Sequence, residues 1–174
     1  MGEIIYTIGH SILAMDAFLH ILDRFEIRQI VDVRTIARSR RNPQYNEEAL
    51  REALKQHGIA YSRLKELGGL RREQKASINT AWKNASFRGY ADYMQTPDFS
   101  AAIGRLIALA GEHRSAIMCA EAVPWRCHRS LIGDALLVRG MRVEDIFNES
   151  TSKPHLLTSW AHVDGTRSTS PGAG

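Results

Sequence analysis

Residues 115–140, SAIMCAEAVPWRCHRSLIGDALLVRG, contain a complete strand–loop–helix unit and both cysteines of the chain. The first six residues form a continuous apolar run with the length of a buried strand. Apolar residues then recur at helical spacing before Gly140, at Leu131, Ile132, Ala135 and Leu136. A buried strand followed by an amphipathic helix is the repeating unit of proteins with parallel sheets.

The same alternation of apolar runs and helical periodicity extends along the rest of the chain. Four further strands are predicted, at residues 3–8, 28–33, 59–64 and 141–147. Helices are predicted between them, with N-caps at Asn46 and Thr96 and with ends at Gly58, Gly111 and Gly140. We therefore predict one three-layer α/β domain of Rossmann or rhodanese type, with a mostly parallel five-stranded sheet and helices on both faces. This domain spans residues 1–163, and a polar, flexible tail spans 164–174.

Composition limits the possible classes of protein. The 174 residues are 44% hydrophobic, which suits one domain with a single core. The net charge of +4 favours anionic ligands but is small for a nucleic-acid-binding domain. Two cysteines are too few for a disulfide framework, so free thiols and a cytoplasmic location are expected. No apolar run reaches the roughly 18 residues of a membrane span, and no signal peptide is recognised.

Chemically active side chains follow three of the predicted strands. Because ligands bind beyond the carboxyl ends of parallel strands, these residues predict one site, with the first and fourth strands as neighbours. The candidate catalytic residues are Cys119, Cys127, His10 and Glu121. The candidate ligand-binding residues are Ser11, Asp32, Arg34, Arg38, His128 and Arg129. Asp32 and Glu121 are candidates for acid–base chemistry, but orienting neighbouring arginines is the more common role of such carboxylates.

The sequence resembles the DUF488 family of uncharacterised bacterial and archaeal proteins. The matching segments are TIGHS (7–11), DVRTIARSRRNPQYN (32–46), LKELGGLRR (64–72), FRGYADYM (87–94), MCAEAVPWRCHR (118–129) and, more weakly, PHLLTSWAHV (154–163). The resemblance covers about residues 1–163 and implies an α/β fold, but it implies no particular reaction. The sequence departs from the family's usual proline, phenylalanine and histidine at Ala37, Tyr45 and Asp145.

Three functional interpretations remain open at this point. The first is an enzyme that binds a small anionic ligand and acts on a phosphorylated or nucleotide-like molecule through the Cys, His and Arg residues. The second is a nucleotide- or nucleic-acid-binding module with structural cysteines, in which arginines bind phosphates and aromatic rings stack on bases. The third is a mixed metal site, for which the available donors are His10, Cys119, Cys127 and His128. No cofactor is expected, and the oligomeric state is not predicted.

The two thiols are expected to differ in reactivity. Cys127 stands near a predicted helix N-terminus and beside His128 and Arg129, features that favour a thiolate. Cys119 ends an apolar strand and is expected to be desolvated and slower. A phosphatase-like loop is disfavoured, because Arg126 lies one position beyond the place where that pattern requires arginine.

Overall fold

The computed structural model describes residues 3–69, 71, 77–82, 84–158, 161–164 and 167–171. The strands are β1 (Ile4–Gly9), β2 (Gln29–Asp32), β3 (Ala60–Arg63), β4 (Ser115–Cys119), β5 (Arg142–Asn148), β6 (Thr151–Pro154), β7 (His162–Asp164) and β8 (Arg167–Thr169). The α-helices are α1 (Met15–Arg24), α2 (Glu47–Gln56), α3 (Ala85–Tyr93), α4 (Pro97–Glu112) and α5 (Arg129–Leu137). Among the described residues, none of these helices combines the length and apolarity that crossing a membrane requires.

The main sheet has the strand order β3-β2-β4-β1-β5-β6. The first five of these strands are parallel, as predicted, and Gly9 is paired with Cys119 because β1 and β4 are neighbours. The predicted number of strands is wrong, since β6 adds an antiparallel edge strand to β5. Its residues, TSKP, are half-buried or exposed, so no apolar run marks this strand in the sequence.

Apolar residues cover both faces of the sheet, because side chains alternate along each buried strand. On one face, α1 and α2 pack through Phe18, Leu22 and Leu50 against β1 and β4. On the other face, α3, α4 and α5 pack on the sheet through Tyr90, Ile103, Leu131 and neighbouring residues. The prediction of an α/β domain with helices on both faces is therefore confirmed.

The helix ends follow the sequence signals with two exceptions. Thr96 caps α4, where its hydroxyl accepts a hydrogen bond from the Phe99 N–H at 3.3 Å. The expectation that Gly111 ends this helix is wrong, because α4 continues to Glu112. Asn46 precedes α2, but its side-chain oxygen accepts from the Ser39 N–H at 2.8 Å instead of capping the helix. Asn46 therefore fixes the arginine-rich loop that precedes α2.

The C-terminal segment contacts the rest of the chain in its described part. The Gln95 side-chain amide donates to the Ser168 carbonyl at 2.7 Å, and the Ser170 N–H donates to Asn79 Oδ1 at 2.7 Å. The Trp82 indole N–H donates to the Ser170 hydroxyl at 3.0 Å. These contacts attach residues 167–171 near α3, while the domain boundary at residue 163 and the flexible tail remain predictions.

Candidate functional site

A cavity of about 620 Å³ opens beyond the carboxyl ends of β1, β2 and β4. The adjacent strands β1 and β4 lead into helices on opposite faces of the sheet, α1 and α5. This arrangement creates a crevice between neighbouring parallel strands, which is where open α/β sheets bind ligands. Most of the predicted site residues line the cavity, namely His10, Ser11, Arg34, Arg38, Cys119, Glu121, Cys127 and His128.

Asp32 lies behind the cavity wall, where it orients Arg34. The two form a bidentate pair, with Arg34 Nε 2.9 Å from Asp32 Oδ1 and Arg34 Nη2 2.7 Å from Oδ2. The Tyr61 hydroxyl also donates to Asp32 Oδ2, at 2.6 Å. Burial opposes the charged guanidinium, but Asp32 reverses this effect and raises the pKa of Arg34 above its ordinary value. Asp32 is fully buried, so the structure does not place it on the ligand-facing surface.

His10 places a hydrogen-bond acceptor beside Arg34 in the site. Its Nδ1 lies 2.8 Å from the Ser11 carbonyl, which can only accept, so Nδ1 carries the proton. Nε2 then has a lone pair, 3.4 Å from Arg34 Nη1. The ring stacks on Tyr45 with centroids 4.1 Å apart, and burial lowers the pKa of His10. His10 is therefore a neutral imidazole at neutral pH, held in one orientation.

Cys119 ends β4 and Cys127 immediately precedes the turn that starts α5. Both are buried and free, and both line the cavity. Burial disfavours a thiolate at Cys119, yet interactions with Cys127 and with the Arg129 guanidinium lower its pKa. The same interaction with Cys119, together with burial, raises the pKa of Cys127. The directions of these two pKa shifts run against the expectation that Cys127 is the more reactive thiol, and the order of reactivity stays a prediction.

His128 shows why Cys127 keeps its proton. Its Nε2 lies 3.0 Å from the Val33 carbonyl and must donate there, so Nδ1 has a lone pair. This Nδ1 lies 3.4 Å from Cys127 Sγ, and burial lowers the pKa of His128 to about 4. His128 is thus a neutral acceptor beside Cys127, whereas the sequence suggested a cation that would favour the thiolate.

Arg129 was expected to bind the ligand, but the structure buries it completely behind the wall. It donates to Thr7 Oγ1 at 2.7 Å and to the carbonyls of Glu121 and Ala122 at 3.1 Å each. The guanidinium therefore holds the loop after β4 against β1. It reaches the site through both cysteines, because its charge acts on Cys119 and on Cys127.

Two of the backbone N–H groups beside His128 have partners inside the protein. The Arg129 N–H donates to Cys127 Sγ at 3.5 Å, and the Ser130 N–H donates to the Cys127 carbonyl at 3.1 Å. Both donors are directed into the protein.

Neighbouring atoms approach three glycines closely around the cavity, and the sequence pattern did not predict these approaches. A Cβ atom at Gly9 would lie 1.6 Å from the Glu121 carbonyl oxygen, so only glycine permits the loop after β4 to pass β1. A Cβ at Gly69 would lie 2.6 Å from His128 Nδ1, and one at Gly68 would lie 2.3 Å from Thr35 Oγ1. The adjacent glycines Gly68 and Gly69 were the feature of the sequence that could have indicated this part of the cavity wall.

The cavity surface is rich in cations and has an apolar rim. Arg38, Arg41 and Arg126 line it together with Arg34, whereas Glu121 supplies the one carboxylate among the described lining residues. At the mouth, Ile12 is 81% exposed and Ile36 is 62% exposed. Asn42, which was not predicted to be a site residue, also lines the cavity, as does Phe87, an aromatic residue that the sequence offered for stacking on a base. The arrangement suits an anion that carries an apolar portion.

The described residues contain no group of three or more His, Cys, Asp or Glu side chains that could hold a metal ion. One nitrogen of His10 and one of His128 already donate to backbone carbonyls. The mixed metal site considered from the sequence therefore has no structural support within the described part of the chain.

The fold and the position of the cavity define an α/β protein with a candidate ligand site at the carboxyl edge of its parallel strands. The chain belongs to the DUF488 family, whose sequence model, described as a domain of unknown function, matches residues 14–136. The resemblance seen in the sequence is thereby confirmed. The matched residues include the arginine-rich loop and both cysteines, whereas His10 and Ser11 precede them. No curated protein and no solved structure matches the chain.

Proposed function

We propose that the cavity binds a phosphorylated or nucleotide-like small molecule and that the protein acts on this ligand as an enzyme. The observation that supports binding most directly is the charge of the lining, with Arg34, Arg38, Arg41 and Arg126 against Glu121 alone. Planar guanidinium groups form bidentate hydrogen bonds with phosphate oxygens. A cavity of about 620 Å³ also has the size of a small-molecule site.

The arginines have different roles in this proposal. Arg34 is preorganised by Asp32, but the same carboxylate offsets its charge. Arg38, Arg41 and Arg126 are exposed, and Arg38 makes only a long contact of 3.8 Å with Glu48. These three exposed guanidinium groups therefore supply the positive potential, while Arg34 and His10 provide fixed polar contacts deeper in the cavity.

The apolar rim suggests which phosphorylated ligands fit. Ile12 and Ile36 expose large side chains at the mouth, and Phe87 is half-buried in the lining. A ligand with a planar apolar group, such as a nucleobase, would cover these residues while its phosphate contacts the arginines. Mononucleotides are therefore expected to bind more tightly than inorganic phosphate.

Calorimetric titration with mononucleotides and with inorganic phosphate tests the proposal. Because a charge-assisted hydrogen bond contributes about 1.5–3 kcal/mol when well formed, Arg41→Ala should weaken nucleotide binding by about tenfold. Arg40→Ala is the matched control, since Arg40 is exposed in the same loop but lies outside the cavity lining. Absence of binding at millimolar ligand, or equal losses in both variants, would overturn the proposal.

A binding module for single-stranded nucleic acid is a second candidate, supported by a surface beside the cavity. Trp125 is 64% exposed and lies next to Arg126 in the chain. Its ring centroid is 6.2 Å from that of Phe147, over which the Lys153 ammonium lies at 5.5 Å. Exposed aromatic rings beside cations are typical of surfaces that stack bases and bind phosphates. Tighter binding of oligonucleotides than of mononucleotides, with loss in Trp125→Ala, would favour this candidate.

A further inference from the structure

His10 is held in one orientation just beyond the carboxyl end of β1. Its backbone N–H donates to the Cys119 carbonyl at 2.9 Å, which ties the residue to β4. One face of the imidazole ring stacks on Tyr45, whose hydroxyl donates to the Leu13 carbonyl at 2.8 Å. His10 is 2% exposed, and the part of it that stays accessible is the part that lines the cavity.

The Ser11 carbonyl determines which nitrogen of His10 carries the proton. Ser11 has a φ of 48°, a left-handed backbone conformation that is uncommon for a residue with a Cβ atom. Its carbonyl oxygen lies 2.8 Å from His10 Nδ1 and can only accept, so Nδ1 donates there and Nε2 has a lone pair. Backbone conformations of this kind occur preferentially at functional sites, where the surrounding structure holds them in place.

Arg34 places a phosphate-binding donor beside this lone pair. Asp32 holds Nε and Nη2 of the guanidinium, at 2.9 Å and 2.7 Å, whereas Nη1 lies beside His10. The distance of 3.4 Å between Arg34 Nη1 and His10 Nε2 exceeds the usual hydrogen-bond range, which ends at about 3.2 Å. The two groups therefore hold each other only weakly. A phosphate oxygen that accepts from Nη1 would place its phosphorus beside the lone pair of Nε2.

We infer that His10 Nε2 is the nucleophile in the hydrolysis of phosphomonoesters, which proceeds through a phosphohistidine. The lone pair of Nε2 forms a bond to phosphorus, the ester P–O bond breaks, and its electron pair leaves with the alkoxide, which takes a proton from solvent. Water then attacks phosphorus, and the N–P bond returns its electron pair to Nε2. Inorganic phosphate leaves as the attacking water gives a proton to solvent, so one phosphomonoester and one water become an alcohol and phosphate.

The surroundings of His10 suit both stages of this reaction. Burial lowers the pKa of His10, so the ring is neutral and its lone pair is available before the reaction. When phosphorus bonds to Nε2 the ring becomes positively charged, and the hydrogen bond from Nδ1 to the Ser11 carbonyl stabilises that charge. Because the acceptor is an imidazole, the loop spacing that disfavours a cysteine phosphatase does not bear on it. The inference rests on the proposed function, since the ligand has to bind in the cavity before it reacts.

The test mixes the full chain with p-nitrophenyl phosphate, stops the reaction rapidly with alkali, and maps the phosphorylated peptide by mass spectrometry. The wild type should release inorganic phosphate and carry one phosphoryl group on His10. Mild acid should remove this group, because phosphohistidine is labile to acid whereas phosphoserine is stable. A phosphoryl group on Ser11, Cys119 or Cys127, phosphate release without any phosphorylated peptide, or no release at all would overturn the inference.

Two histidine variants separate the nucleophile from ligand binding. His10→Asn should lower phosphate release at least about a hundredfold. His20→Asn should match the wild type, because His20 lies outside the cavity lining and its side chain is 57% exposed. Equal rates in the two variants would refute the role of His10. Calorimetric binding of mononucleotides without phosphoryl transfer would overturn this inference and leave the proposed binding intact, whereas absence of binding would overturn both. Mapping of the wild type provides the test even if His10→Asn folds poorly.

Discussion

His155 lies in a buried charge cluster whose contribution to stability should depend on pH. Its Nδ1 is 2.9 Å from Asp145 Oδ2, and its Nε2 is 3.0 Å from Asp134 Oδ1. Since a carboxylate only accepts hydrogen bonds, both ring nitrogens can donate only when the imidazole is protonated. Burial disfavours that charge, but hydrogen bonds to Asp134 and Asp145 raise the pKa of His155 to about 9.

The pKa of His155 determines how much the protonated imidazole contributes to stability and how this contribution changes with pH. A rise from the ordinary value of 6.5 to about 9 corresponds to a contribution of about 3 kcal/mol to the free energy of unfolding. Because the folded-state pKa is the higher one, the contribution is fully present below about pH 6.5 and is lost as the pH rises through about 9. The side chain is only 6% exposed, so screening by solvent is small.

This contribution can be measured by urea denaturation of the wild type and of His155→Gln at several pH values between about 6 and 9.5. The difference in free energy of unfolding between the two proteins should shrink by about 3 kcal/mol over this range. His57→Gln is a control, because His57 and Asp23 form an exposed pair with 37% and 45% side-chain exposure. Its removal should change stability by less than about 1 kcal/mol. A gap between the wild type and His155→Gln that stays constant over this pH range would refute the reasoning.

Two further predictions concern residues that shape the site. Gly9→Ala should cost more than about 2 kcal/mol in chemical denaturation, because its Cβ would meet the Glu121 carbonyl, whereas Gly104→Ala, whose Cβ meets nothing, should be neutral or stabilising. The glycine reasoning is wrong if the two variants are equally stable. Asp32→Asn should cost about 3 kcal/mol, because it leaves the Arg34 charge buried without its carboxylate, and it should also weaken nucleotide binding. Unchanged denaturation midpoint and unchanged affinity in calorimetry would contradict this second prediction.

The parallel part of the sheet was predictable because its strands are buried on both faces. Such strands appear in the sequence as continuous apolar runs, and Ile30, Val31 and Ile117 are indeed fully buried. The edge strand β6 gives no such signal, since Thr151 and Ser152 are half-buried and Lys153 is exposed. Apolar runs therefore report burial, and a polar edge strand is found only through its pairing with β5.

The location of the candidate site was also predictable, whereas the roles of its arginines were not. His10, Arg34 and Cys119 follow or end strands that the apolar pattern had placed, so their proximity followed from parallel topology. Arg34 and Arg129 are the same residue type near the same edge. One lines the cavity, whereas the other is completely buried and holds Thr7 and the loop after β4. That difference follows from their partners, because Asp32 holds Arg34 whereas Thr7 and two loop carbonyls hold Arg129.

The surroundings of Cys127 show the same limit of prediction from sequence, here for the position of one proton on His128. Its neighbours in the chain, His128 and Arg129, suggested two positive charges beside the sulfur. The Val33 carbonyl, 95 residues away in sequence, fixes the proton of His128 on Nε2, and burial keeps the ring neutral. Arg129 extends from the first position of α5 to Thr7 of β1, where its charge acts on Cys119. The charge of His128 is therefore decided by a contact between residues that are distant in the sequence, whereas Arg129 acts on both thiols.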